Sequence, residues 1–254
     1  MNAEVTVQST KKKRSVNETG HAKNIFNFQN LISFCQGYGS AYNPSKENLK
    51  IIALVNQHQR AFDRLHQAKA DKTSFDLATN NRRIEFENLK PLSTRILSAF
   101  MVSGADKLII DDLKVINRKI QGPIYKKTKD DAPDDEVRKY STSQQSYSRF
   151  IDHFASLLEV LEQSQSYHPN ENELKLAALQ LVFETMKRTH NDLTDAYTQY
   201  SNALIRRNRE LYDGTTGLVQ TTKEVKLYAK SIFGANSPQY RQISKIVFKM
   251  FKEL

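Results

Sequence analysis

Tyr42-Asn-Pro-Ser-Lys-Glu-Asn-Leu-Lys-Ile-Ile-Ala-Leu54 and Tyr167-His-Pro-Asn-Glu-Asn-Glu-Leu-Lys-Leu-Ala-Ala-Leu179 are two versions of one segment. Six of the thirteen positions match: Tyr42/Tyr167, Pro44/Pro169, Leu49/Leu174, Lys50/Lys175, Ala53/Ala178 and Leu54/Leu179. Unrelated windows match at roughly one position under ordinary residue usage. The offset is 125 residues, about half the chain, and it recurs further on. Ala78 meets Ala203, Arg82 meets Arg207 and Glu85 meets Glu210. Gly104-Ala105 and Gly234-Ala235 correspond at an offset of 130, which implies a short insertion in the second half. The chain reads as an internal duplication.

Working outward, the periodicity is helical. Leu179, Val182, Met186, Thr189, Leu193, Ala196, Tyr200 and Ala203 recur at steps of three and four, a mostly apolar stripe along one face. The first half carries a noisier stripe through Ile51, Leu54, Val55, Phe62 and Leu65. Ser45 after Pro44, and Asn170 after Pro169 with Glu173 three residues on, read as helix N-caps. Ser237-Pro238 reads the same way. Gly37 and Gly39, then Gly104 and Gly234, read as helix stops. Pro91 lies 125 residues before Thr216, which Gly214 and Gly217 flank, so both halves break the same helix at one depth.

These marks predict an all-α fold: an internally duplicated helical bundle with two modules of four to five helices. Residues 1–21 form a disordered tail, 22–121 the first module, 122–143 a charged linker and 144–254 the second. Helices are expected over 22–36, 45–70 and 106–120 in the first module, and over 144–163, 170–192 and 238–253 in the second. Modules of similar size suggest a pseudo-twofold pair; two bundles on a flexible tether are the alternative.

Bulk composition agrees. Apolar residues make up 39% of the 254, with eight glycines and six prolines, too few turn-formers for a sandwich or barrel. Trp is absent, leaving aromatic packing to eleven Tyr and thirteen Phe. The single cysteine, Cys35, sits in the apolar run Leu31-Ile-Ser-Phe-Cys35 and reads as a buried, inert thiol. With no apolar leader and no run of about 18 apolar residues, a soluble cytoplasmic protein is expected.

Catalytic signatures are missing from the sequence. It has no phosphate-binding glycine loop, no His-Glu-x-x-His and no Gly-x-Ser-x-Gly. No Glu stands three residues before His58, His66, His153, His168 or His190, as a di-iron bundle requires. The acidic block Asp130, Asp131, Asp134, Asp135 and Glu136 lacks the spacing and glycine of a calcium loop. No metal or cofactor is expected, and nothing positive supports an enzyme, although a site between the modules stays open.

Charge is the remaining signal. The net charge is +10, and residues 205–254 hold ten cations against four acids. The cations are Arg206, Arg207, Arg209, Lys223, Lys226, Lys230, Arg241, Lys245, Lys249 and Lys252. Helical spacing groups Lys223, Lys226 and Lys230 on one face, opposite Leu218, Val225, Tyr228 and Ile232. It groups Lys245, Lys249 and Lys252 on another, opposite Ile243, Ile246, Val247, Met250 and Leu254. Two such faces offer a positive surface to an acidic protein, an anionic surface or, without base readout, nucleic acid. Arg82 and Arg207 each precede a glutamate by three, which suggests helical ion pairs; a ligand-gripping arginine pair is the sharper alternative.

The runs Asn27–Ser45 and Ser237–Ile246 resemble a family of uncharacterised bacterial two-copy helical proteins. That resemblance spans residues 22–254 and implies an architecture without an activity. The function expected is therefore a non-enzymatic helical interaction or scaffold protein with a protein partner. Non-specific nucleic-acid or anionic-surface binding through 205–254 is the alternative.

Overall fold

The computed structural model describes residues 19–122 and 145–251. Regular structure among these residues is helical, as expected, with no strand. α1 spans Thr19–Gly37, α2 Ile51–Glu87, α3 Leu89–Met101 and α4 Lys107–Gln121; α5 spans Tyr147–Gln163, α6 Leu176–Tyr212, α7 Leu218–Phe233 and α8 Pro238–Ser244. The tail expected over 1–21 and the linker over 122–143 fall almost wholly outside the described residues.

The Tyr-x-Pro segments do something other than cap a helix. After each, the chain makes one 3-10 turn, Glu47–Leu49 or Asn172–Leu174, before the long helix begins. The N-cap positions are Lys46 and Glu171, neither with a side-chain cap bond, and not Ser45 and Asn170. The repeated tyrosine ties the turn down. Tyr42 Oη donates to the Leu49 carbonyl at 2.9 Å, and Tyr167 Oη to the Leu174 carbonyl at 2.8 Å. Both tyrosines and both leucines are buried. A buried carbonyl left without a donor costs about 1–3 kcal/mol. Tyr42→Phe and Tyr167→Phe should each lower unfolding stability by about 1–2 kcal/mol, read as a shifted denaturant midpoint at unchanged slope.

α2 and α6 are each 37 residues long, and their first and last residues lie 125 apart. The breaks after them use different chemistry. Pro91 sits in the first turn of α3, where its missing N–H belongs among the donors a helix leaves unpaired anyway. Before α7, Asp213 Oδ1 accepts the backbone N–H groups of Thr215 and Thr216 at 2.9 and 2.7 Å, and both threonine hydroxyls. Those donors hold the Asp213 carboxyl far below the usual carboxylate range. A Cβ on Gly217 would lie 2.5 Å from the Asp213 backbone, so only glycine fits there. Gly104 and Gly234 adopt φ of 83° and 88°, as stops should; after α1 the left-handed residue is Gly39, at 59°.

The last helix is shorter than expected. α8 ends at Ser244, and residues 246–251 carry no helix. Ile246, Phe248 and Phe251 pack on the core at steps of two and three, and side chains of α1 and α7 bind the backbone between them. Those tertiary bonds outcompete the helical period of Ile243, Ile246, Val247 and Met250.

The chain forms two compact units. One comprises the described residues up to Lys72 with those from Tyr200 onward; the other is Thr73–Gln199. The boundaries fall inside α2 and α6, so each unit draws on both halves of the sequence. In the first, Ile25, Phe28, Leu31 and Ile32 of α1 and Leu54 and Leu65 of α2 pack with Leu211, Leu218, Val225 and Ile243. In the second, Phe86, Leu89, Ile96, Phe100, Leu113 and Ile120 pack with Phe154, Leu157, Leu161, Leu179 and Met186.

Candidate functional site

The basic residues expected to act together occupy different environments. Arg206, Arg209, Lys223 and Lys230 are exposed, the two lysines on the face of α7 opposite buried Leu218, Val225 and Ala229. Lys226 is engaged: its Nζ donates to the Ile246 carbonyl at 2.6 Å and lies 5.5 Å from the Phe248 ring centre. Burial lowers its pKa. Lys245 and Lys249 are exposed but do not share a helical face, because α8 has already ended. Lys252 lies outside the described residues.

The two arginines that correspond at the 125-residue offset sit in different units. Arg207 is buried and donates to Asn208 Oδ1 from Nε at 3.2 Å and a terminal nitrogen at 2.9 Å. Glu210, its expected helical partner, accepts from Arg60 Nε at 3.2 Å. Arg82 stacks on Tyr147, its guanidinium carbon 3.9 Å from the ring centre, in place of the expected bond to Glu85. Each arginine is thus a packing element of its own unit.

Beside Arg207 lies a buried polar cluster. His21 Nδ1 is 2.6 Å from Tyr212 Oη, which accepts from Asn24 Nδ2 at 3.3 Å and so directs its own proton to the imidazole. Burial first, and then the charge of Arg207, lower the His21 pKa to about 4. Burial pushes Tyr212 up to about 12. The Phe251 ring, 4.8 Å from His21, covers the pair. A neutral imidazole bonded to a neutral phenol under an aromatic lid is a stabilising contact. Cys35 is likewise buried, and burial pushes its thiol up to about 12.

The Thr73–Gln199 unit holds an open cleft of about 660 Å³ between α3 and the segment 166–171. Thr94, Arg95 and Ser98 line one side, and Ser166, His168 and Asn170 the other. Arg95 donates to Glu173 Oε1 at 2.6 Å and holds that carboxyl below its usual range. Ser103 Oγ donates to the Phe100 carbonyl at 2.8 Å and stands 3.2 Å from Ser166 Oγ, itself 3.0 Å from Ser164 Oγ. This hydroxyl chain ends on a carbonyl, which takes no proton, so it offers hydrogen bonds and not an activated nucleophile. Of the apolar side chains that line the cleft, Val102 is exposed to 85%.

Of the cleft residues, those of the segment that repeats Tyr42–Leu54 stand out in the sequence, but as a helix start. Arg95 and Glu173 are 78 residues apart, and the serines belong to no motif. Among the described residues no three His, Cys, Asp or Glu side chains gather as metal ligands, and no helix is long and apolar enough to cross a membrane. Comparison with protein-family models, with curated proteins and with solved structures finds no match to this chain.

Proposed function

We propose that the protein is a non-enzymatic helical interaction or scaffold protein whose partner is another protein. The observation that carries this reading is the rim of the cleft. Val102 is almost fully exposed beside a bed of serine hydroxyls, Arg95 and Asn170. Covering an exposed Val is worth about 1.5–3 kcal/mol. An apolar patch edged by hydrogen-bonding groups is the anatomy of a protein interface. The test is affinity capture from the native cell with the wild-type chain and with Val102→Asp. The reading expects a protein that co-purifies with the first and drops at least tenfold with the second, at equal helicity. Identical captured sets contradict it. The single buried thiol suits a reducing cytoplasm as the compartment.

The same proposal takes the chain to be a duplication whose copies exchange halves. Its support is the repeated tyrosine tie, the two 37-residue helices in register at 125, and two cores each built from both sequence halves.

A second reading rests on the exposed Arg206, Arg209, Lys223, Lys230, Lys245 and Lys249, all in the first unit. These would hold an anionic surface or nucleic-acid phosphates without reading sequence. Affinity for DNA or RNA should then fall steeply with salt and vanish in a Lys223→Glu/Lys230→Glu/Lys245→Glu/Lys249→Glu chain. A salt-independent affinity removes this reading.

A further inference from the structure

The segment Lys245–Phe251 lies in the first unit as a peptide lies in a receptor. Asn24 of α1, only 1% exposed, grips the backbone of Lys249 twice: Nδ2 donates to its carbonyl at 2.8 Å, and Oδ1 accepts its N–H at 3.0 Å. Asn27 Nδ2 donates to the Val247 carbonyl at 2.7 Å, and Lys226 of α7 to that of Ile246. Ile246, Phe248 and Phe251 turn toward the core, while Val247, Lys249 and Met250 face outward. Phe251 has a built socket. Its ring lies against His21 and Tyr212 and over Gly20, where a Cβ would come 2.3 Å from the ring.

We propose that this groove between α1 and α7 is an exchangeable peptide site, and that its second occupant is the same segment of another copy of the chain. The recognition acts mainly on backbone groups, plus apolar and aromatic side chains at fixed steps. The asparagine contacts run between residues 220 and 225 positions apart, so they do not depend on chain continuity. In one chain the tether supplies a local concentration of roughly millimolar, so the segment closes on its own groove when the protein is dilute. The inference concerns the first unit and stands independently of the cleft reading above.

Complementation tests it with full-length chains. Phe248→Ser/Phe251→Ser has a vacant groove and no competent segment. Gly20→Leu/Asn27→Ala has a competent segment and a blocked groove, with better helix formers in α1. The expected result is that each alone stays monomeric by light scattering and that mixing gives a one-to-one complex. No complex on mixing, with both chains helical, overturns the proposal. Should the first variant fail to fold, hydrogen exchange on the wild-type chain decides. The Lys249 amide, whose N–H Asn24 Oδ1 accepts in the docked segment, is expected to exchange at least tenfold faster than the amides of α1 and α7, by local release. Exchange of segment and helices at one common rate overturns the proposal.

Discussion

Unfolding free energy should fall by about 2 kcal/mol between pH 7 and pH 4 on account of His21 alone, and a His21→Gln chain should lack that fall. The His21 pKa drops from 6.5 in the unfolded chain to about 4 in the folded one. In that window the unfolded state binds the proton and the folded state does not, so acid favours unfolding. The stabilising difference is fully present above pH 6.5, declines below it and is lost by about pH 4. A shift of this size corresponds to roughly 3 kcal/mol, and solvent screening reduces it to about 2. Two physical causes act together: the imidazolium would lose its water, and it would sit beside Arg207. His58, also lowered by burial, adds a contribution of the same sign. Denaturant titrations at pH 7, 6, 5 and 4.5 on both chains measure the difference. Parallel pH curves for wild type and His21→Gln would show that the cluster does not control acid stability.

The local features were legible because they are written locally. Helical period, the break after each long helix and the stops at Gly104 and Gly234 depend on residues within a turn or two of each other. The Tyr-x-Pro segment was visible as a repeat, but its role was misread. A proline followed by Ser45 or Asn170 looks like a cap, whereas the tyrosine's bond reaches seven residues forward to a carbonyl that only the folded turn buries. The end of α8 was misread for a related reason. Helical spacing was present, but Asn24, Asn27 and Lys226 claim the backbone of 246–249 from positions at least 20 residues away. The α7 face keeps Lys223 and Lys230 but loses Lys226 to the Ile246 carbonyl, and the face expected through Lys245 and Lys249 is lost because α8 ends at Ser244. Arg207 and Arg82 match in sequence, yet one bonds Asn208 and the other stacks on Tyr147, each inside its own unit. The cleft was invisible as a cleft: one side is the repeated Tyr167 segment, but the other lies more than 60 residues away and adds ordinary serines and one ion pair.

Which helices share a core is the fact least accessible from periodicity and the one with the largest experimental consequence. Residues in the first half of the chain bury Phe28, Leu31, Ile32, Leu54 and Leu65 only with help from Leu211, Leu218, Val219, Val225 and Ile243 of the second. Removing five such partners forfeits about 10 kcal/mol of burial, on the order of a whole domain's stability. The second core loses comparably when Phe154, Leu157, Leu161, Leu179 and Met186 are taken from Phe86, Ile96 and Phe100. The decisive measurement is therefore a split chain, cut within residues 123–144, followed by circular dichroism and thermal melting of each piece and of the mixture. Neither half should melt cooperatively alone, an equimolar mixture should recover native helicity as a one-to-one complex, and the fragment Thr73–Gln199 should fold by itself. Cooperative folding of either half in isolation would contradict cores shared between the halves.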